Sequence, residues 1–205
     1  MSSLCCLIFS RADARLCIIQ RTVTNTTERE GLCYTSIMKK ILLQVKPFQE
    51  TLNAGMCGPA SLKIVLAYYG VHKSEKELAR LCQHSKKLGV TNEQMEQAAR
   101  SLGFRVTVKY QSTFKDIEQW LQKKVPVIVD WMTRGRADAP ASEVAEGHSS
   151  VVVGLDDKYI YLQDPEIGAL QTFTRHNFMK VWFDFKGEYI QPDELVIRYI
   201  MAIHK

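Results

Sequence analysis

The sequence predicts an α+β fold, with a helical lobe over about residues 50–103 and a lobe of antiparallel sheet over about 104–205. Three observations carry this expectation. Two capping boxes, Ser74-x-x-Glu77 and Thr91-x-x-Gln94, open helices before residue 103. The apolar period then shortens from that of a helix to that of a strand. A tight turn at Asp156-Asp157 finally separates two apolar runs that read as a hairpin.

Composition bounds the rest. A chain of 205 residues, 46% of them apolar, can bury one core or two small lobes sharing an interface. The net charge of +5 is mild, and no Lys/Arg run interleaved with aromatics marks a nucleic-acid face. Of six cysteines, Cys5, Cys6, Cys17 and Cys33 precede Met38, leaving Cys57 and Cys82. Two such residues make no disulfide framework, no CxxC pair offers a zinc site, and no cofactor or metal is implied. Residues 1–37 read as a poorly structured extension, because the run Leu4 to Phe9 is too short for a signal-peptide core and a polar patch follows. The folded domain is expected over 38–205. No apolar run approaches the roughly 18 residues of a membrane span, so a cytoplasmic protein is expected.

Taken in order, Ile41 to Gln49 is a short extended segment that Pro47 interrupts. Pro59 has a φ suited to the first helical turn, so it marks the start of a helix running through Ile64, Ala67 and Tyr68 to a C-terminal cap at Gly70. The helix after Ser74 places Leu78, Leu81 and Cys82 on one face. The helix after Thr91 carries Met95, Ala98, Ala99 and Leu102 and closes at Gly103. Phe104 to Tyr110 alternates as a strand, and Thr113 opens a helix with Ile117, Trp120 and Leu121. Strands are then expected at Val125–Trp131, His148–Leu155 and Lys158–Gln163, followed by a turn through Asp164-Pro165-Glu166-Ile167-Gly168 and a strand at Ala169–Thr172. A short helix with Phe178, Val181 and Trp182 precedes a last strand, Leu195 to Ile203. The polar loop between Trp131 and His148, with Arg134, Arg136, Asp138 and Glu146, has the length of a loop that shapes a site or stays disordered.

Cys57 stands just ahead of the Pro59 helix, where unpaired N–H groups and the positive end of the dipole favour a thiolate. A cysteine nucleophile also needs a base, a group to orient that base, and donors for the oxyanion. His148 begins a strand after Gly147, and Asp164 ends the partner strand of the same hairpin, so the two open ends lie side by side. Asp130, at the end of another strand, is the rival acid. Gln49, eight positions before Cys57, could offer an amide beside the Cys57 N–H. His72, His84, His176 and His204 are expected to face solvent.

Phe48-Gln49, Cys57-Gly58-Pro59-Ala60-Ser61-Leu62, Gly147-His148-Ser149-Ser150-Val151-Val152-Val153-Gly154 and Tyr161-Leu162-Gln163-Asp164-Pro165, in that order, resemble the papain-like cysteine peptidases of the bacteriocin-processing, double-glycine-leader type. The resemblance covers about residues 41–205. It implies a papain-like fold with the cleft between helical and sheet lobes. It further implies Cys57 as nucleophile, His148 as general base and acid, Asp164 as orienting residue and Gln49 as oxyanion donor, acting on a peptide or protein substrate. Two departures stand out. The Gln49–Cys57 spacing is about two residues longer than usual for these peptidases, so the loop between them must bulge. No GxxxxGK[ST] loop or membrane region accompanies the domain, which is expected to be a stand-alone relative. A non-catalytic peptide-binding module and an acyltransferase on the same fold remain the alternatives.

Overall fold

The computed structural model describes residues 39–86, 89–133, 147–185 and 191–205. The expected extension over 1–37 and most of the polar loop before His148 lie outside the described residues. The chain opens with β1 (Ile41–Leu42) and three helices, α1 (Cys57–Tyr68), α2 (Glu75–Leu81) and α3 (Asn92–Ser101). Then follow β2 (Arg105–Lys109), α4 (Phe114–Gln122), β3 (Val127–Met132), β4 (Gly147–Leu155), β5 (Tyr159–Asp164) and β6 (Ala169–Thr174). The chain ends with α5 (Arg175–Val181), β7 (Phe183–Phe185), β8 (Leu195–Ile197) and β9 (Ile200–His204).

The helices begin where local chemistry provides a cap. Ser74, Thr91 and Thr113 each accept from the backbone N–H three residues on, and the acid or amide at that position returns a bond, completing three capping boxes. α1 ends in a Schellman turn: Val71 N–H donates to Leu66 O and Gly70 N–H to Ala67 O, with Gly70 at φ +79°. α2 is shorter than its apolar pattern suggested. Cys82 serves as its C-cap and is buried, while Leu81 turns out to solvent at 40% exposure.

The main sheet runs β2-β9-β3-β4-β5-β6, with β1 paired to the far end of β4, and every pairing is antiparallel. Helices cover it on both faces. Leu62, Leu66, Leu78, Met95 and Ala99 from α1–α3 pack with Ile128, Val151, Val153 and Met201, whereas Ile117, Leu121 and Phe178 from α4 and α5 pack with Val127, Val129, Val152 and Leu162. β3 and the Val151–Leu155 part of β4 are therefore buried on both faces, and the polar residues among them, Asp130, His148, Ser149 and Ser150, are buried as well.

Two features depart from the expected strands. Arg198 takes φ +48°, which splits the expected 195–203 strand into β8 and β9 and lets β8 pair with β7 in a separate two-stranded ribbon. β4 also carries a bulge between Val152 and Gly154. Leu155 pairs with Ile160 and Gly154 with Tyr161, but Val152 pairs with Leu162. A one-residue shift exchanges the two faces of the strand preceding it.

Candidate active site

That exchange decides which side chains meet. Continued without the shift, the register of Leu155 and Ile160 would place His148 on the face of Gln163; the bulge places it on the face of Asp164. His148 Nε2 and Asp164 Oδ1 are 2.8 Å apart, with the two residues 7% and 2% exposed. The carboxylate is itself held, because Glu166 N–H donates to the same Oδ1 at 2.9 Å.

The other side of the imidazole belongs to α1. The Cys57 side chain lies close enough to His148 to raise the affinity of the ring for a proton, and since Asp164 occupies Nε2, Nδ1 is the nitrogen left for the thiol. Cys57 is the first residue of α1 and half-buried. Gly58 explains how that helix end sits so deep: a Cβ there would overlap Val90 Cγ2 and come within 2.9 Å of Met95 Sδ. Pro59 follows as expected at a helix start, and Ser61 Oγ donates to Ser149 O at 2.9 Å, joining α1 to β4. Pairing between β5 and β4 stops at Val151–Gln163, so the His148 end of β4 is open for this approach.

Burial by itself disfavours the His148 imidazolium. The Asp164 hydrogen bond, the Cys57 hydrogen bond and the charges of both partners outweigh it and hold the ring well above the usual histidine range. Three more carboxyls lie within electrostatic reach. Burial pushes Glu50 up to about 7, Asp130 up to about 6 and Asp184 up to about 7, and in each case the His148 charge opposes the rise. Trp131 meets His148 edge-on, ring centroids 5.6 Å apart, and donates its indole N–H to Ser150 Oγ at 3.0 Å. The other cysteine differs sharply: Cys82 is fully buried, and burial pushes its thiol up to about 11.

The structure thus brings Cys57, His148 and Asp164 together. Asp130, the rival acid, lies elsewhere. It shares a face with Ser149, opposite to that of His148 and Trp131, and accepts from Ser149 Oγ at 2.8 Å and Asn92 Nδ2 at 2.6 Å. Gln49 is exposed, and its amide donates to Glu166 O at 3.3 Å rather than meeting the thiol. The long loop before Cys57 is held by its own contacts. Thr51 binds the Glu75 carboxylate through N–H and Oγ1 at 2.9 and 2.6 Å, and Ala54 O meets His84 Nε2 at 2.8 Å. His84 is therefore half-buried and structural, contrary to the solvent-facing position expected for it. His204, also half-buried, stacks on Trp120, while His72 and His176 are exposed.

Sequence reasoning did not single out Glu50, Trp131, Ser149 or Asp184. Strand alternation alone offered a signal for Trp131, which pairs directly with His148. Among the described residues no group of three or more His, Cys, Asp or Glu is arranged to hold a metal ion, and no helix is long and apolar enough to cross a membrane.

Helices packed on an antiparallel sheet, with a thiol at a helix start facing a histidine at a strand start, form the papain-like peptidase fold. The chain belongs to the Peptidase_C39 like family, whose model matches residues 42–190. It is similar to the crystal structure of the peptidase domain of Streptococcus ComA, a bi-functional ABC transporter involved in quorum sensing, at 19% identity and a TM-score of 0.58, covering 78% of this chain and 98% of that one. A protein described as a C39-like peptidase from Bacillus anthracis gives 17% identity and a TM-score of 0.58, with 82% and 98% covered. A double glycine motif protease from an AMS/PCAT transporter, solved with its leader peptide, gives 19% and 0.55, with 80% and 97% covered. At these identities the likeness is one of fold. No curated protein matches the sequence.

Proposed function

We propose that this protein is a cysteine peptidase that cleaves an amide bond through Cys57, His148 and Asp164. One observation carries the reading: a single buried imidazole is hydrogen-bonded to a carboxylate through Nε2 and lies close enough to a helix-start thiol to be shifted by it. In this reading the Cys57 thiolate attacks the scissile carbonyl carbon, and the imidazolium of His148 gives its proton to the leaving amine as the C–N bond breaks. His148 then takes a proton from water, whose oxygen attacks the thioester and releases the acid, restoring the thiol pair. Asp164 keeps the ring oriented and supports its positive charge. The Cys57 N–H and the Gln49 amide supply the oxyanion donors, for which the amide must leave Glu166 O.

A peptide substrate is supported by the family and by the relative solved with a leader peptide. The placement of Gln49 away from the thiol is the one observation that favours a peptide-binding module without turnover. A peptide-based thiol-reactive probe library, read by mass spectrometry, together with turnover of the preferred peptide, separates the two. Labelling at Cys57 with turnover lost in Cys57→Ala and His148→Ala is the expected result. Peptide binding with neither labelling nor turnover would leave the binding module as the correct reading.

A further inference from the structure

Ser61, Ser149 and Asp130 are buried polar side chains, at 0%, 8% and 2% exposure. Buried polar groups are costly unless bonded, and these are bonded in series. Ser61 Oγ donates to Ser149 O, Ser149 Oγ donates to Asp130 Oδ1, and Asn92 Nδ2 donates to Asp130 Oδ2, at 2.9, 2.8 and 2.6 Å. The series joins α1, β4, β3 and the first turn of α3.

Its position in the chain matters more than its strength. Ser61 lies four residues after Cys57, one helical turn along the same side of α1, and Ser149 is the residue after His148. The bond between them therefore clamps the helix that carries the thiol to the strand that carries the imidazole, one step from each reacting group. Resting on the catalytic reading above, we propose that Ser61 is a positioning residue: its hydroxyl, braced through Ser149 by Asp130 and Asn92, sets the separation of the Cys57 sulfur from His148. Asp130, which the sequence offered as the orienting acid, acts here as the anchor of the brace. Displacements of about 1 Å in a reacting pair cost on the order of 10²-fold in rate, so a shift of about 0.5 Å on losing the clamp would cost about tenfold.

The test uses the full chain and the rate of Cys57 alkylation by iodoacetamide between pH 5 and 9, resolved by peptide mapping, which needs no substrate. Ser61→Ala should slow Cys57 alkylation at pH 6 by about tenfold, yet leave it within about twofold at pH 9, where a thiol ionises without help from an imidazolium. Ser61→Thr, which restores a hydroxyl, should recover most of the pH 6 rate. A merely structural role would lower the melting temperature and leave the profile alone. A Ser61→Ala profile that superimposes on the parent overturns the clamp. Should Ser61→Ala not fold, Ser61→Cys, a weaker donor of similar size, reads the same way: a depressed pH 6 rate supports the clamp and a parental profile overturns it. If Cys57 of the parent reacts no faster at pH 6 than Cys57 of His148→Ala, the catalytic reading itself fails, and this inference with it.

Discussion

Replacing Asp164 by asparagine and by alanine separates its charge from its geometry. Asp164 Oδ1 accepts from both His148 Nε2 and Glu166 N. The carbonyl oxygen of an asparagine can accept both bonds in place, so Asp164→Asn keeps the ring where it is and removes only the negative charge. Hydrogen bonds to charged groups contribute about 1.5–3 kcal/mol against about 1 for neutral ones, so the imidazolium loses roughly 0.5–2 kcal/mol of support. At about 1.4 kcal/mol per decade, turnover and pH 6 alkylation of Cys57 should fall about tenfold. Asp164→Ala removes the acceptor altogether. With His148 buried at 7% exposure, breaking such a pair costs about 3–5 kcal/mol, which predicts a loss of 10²–10³-fold and a lower melting temperature. Alkylation rates against pH, measured with thermal unfolding of each variant, check both numbers. Equal losses in the two variants would refute the division into charge and orientation. Parental rates in both, with Asp130→Asn crippled instead, would reassign the acid to Asp130.

Three further outcomes follow from particular contacts. Gly58→Ala should lower the urea midpoint and slow Cys57 alkylation at pH 6, since overpacking against Val90 and Met95 costs about 1–3 kcal/mol and the helix propensity of alanine returns only about 1; an unaltered midpoint and rate would mean that α1 is not seated through this glycine. Burial raises Glu50, Asp130 and Asp184 to between about 6 and 7, so the fold holds protons that the unfolded chain releases. The associated stability is fully present below about pH 4 and lost as pH rises through 6–7, and the raised His148 acts in the same direction above about pH 6.5. Melting temperature should therefore fall from pH 5 to pH 8. Asp184→Asn, which keeps an acceptor for Phe185 N–H, should recover part of that loss at pH 8 only; a melting temperature that rises with pH would contradict the assignment. Gln49→Ala should lower kcat by about 10²–10³-fold with KM and alkylation little changed, and turnover within threefold of the parent would show that other donors, such as backbone amides, serve the oxyanion.

What the sequence by itself determined is local. Serine or threonine followed three residues later by an acid or amide set the starts of α2 and α3, because both halves of a capping box lie within one turn, and Thr113 marked the start of α4. Pro59 and Gly70 bracketed α1, and Asp156 marked the hairpin by accepting from Lys158 N and Tyr159 N. The ordered motifs around Cys57, His148 and Asp164 named the three side chains that the structure brings together. The tertiary structure decided what depends on register and on distant neighbours. The bulge at Val153 puts His148 and Asp164 on one face, a matter of strand parity that no stretch of β4 reveals, since Val151, Val152 and Val153 are alike and each is fully buried. The same holds for Asp130 and Gln49. Asp130 was expected at a strand end, as an orienting acid would be, but it lies inside β3, whose pairing with β4 turns it to Ser149 and Asn92; Gln49 precedes the thiol as a donor would, but the turn after Asp164 offers its amide the Glu166 carbonyl. Residue type and order limit which groups can react, whereas the direction of each side chain is set by hydrogen bonds to residues as many as 117 positions away.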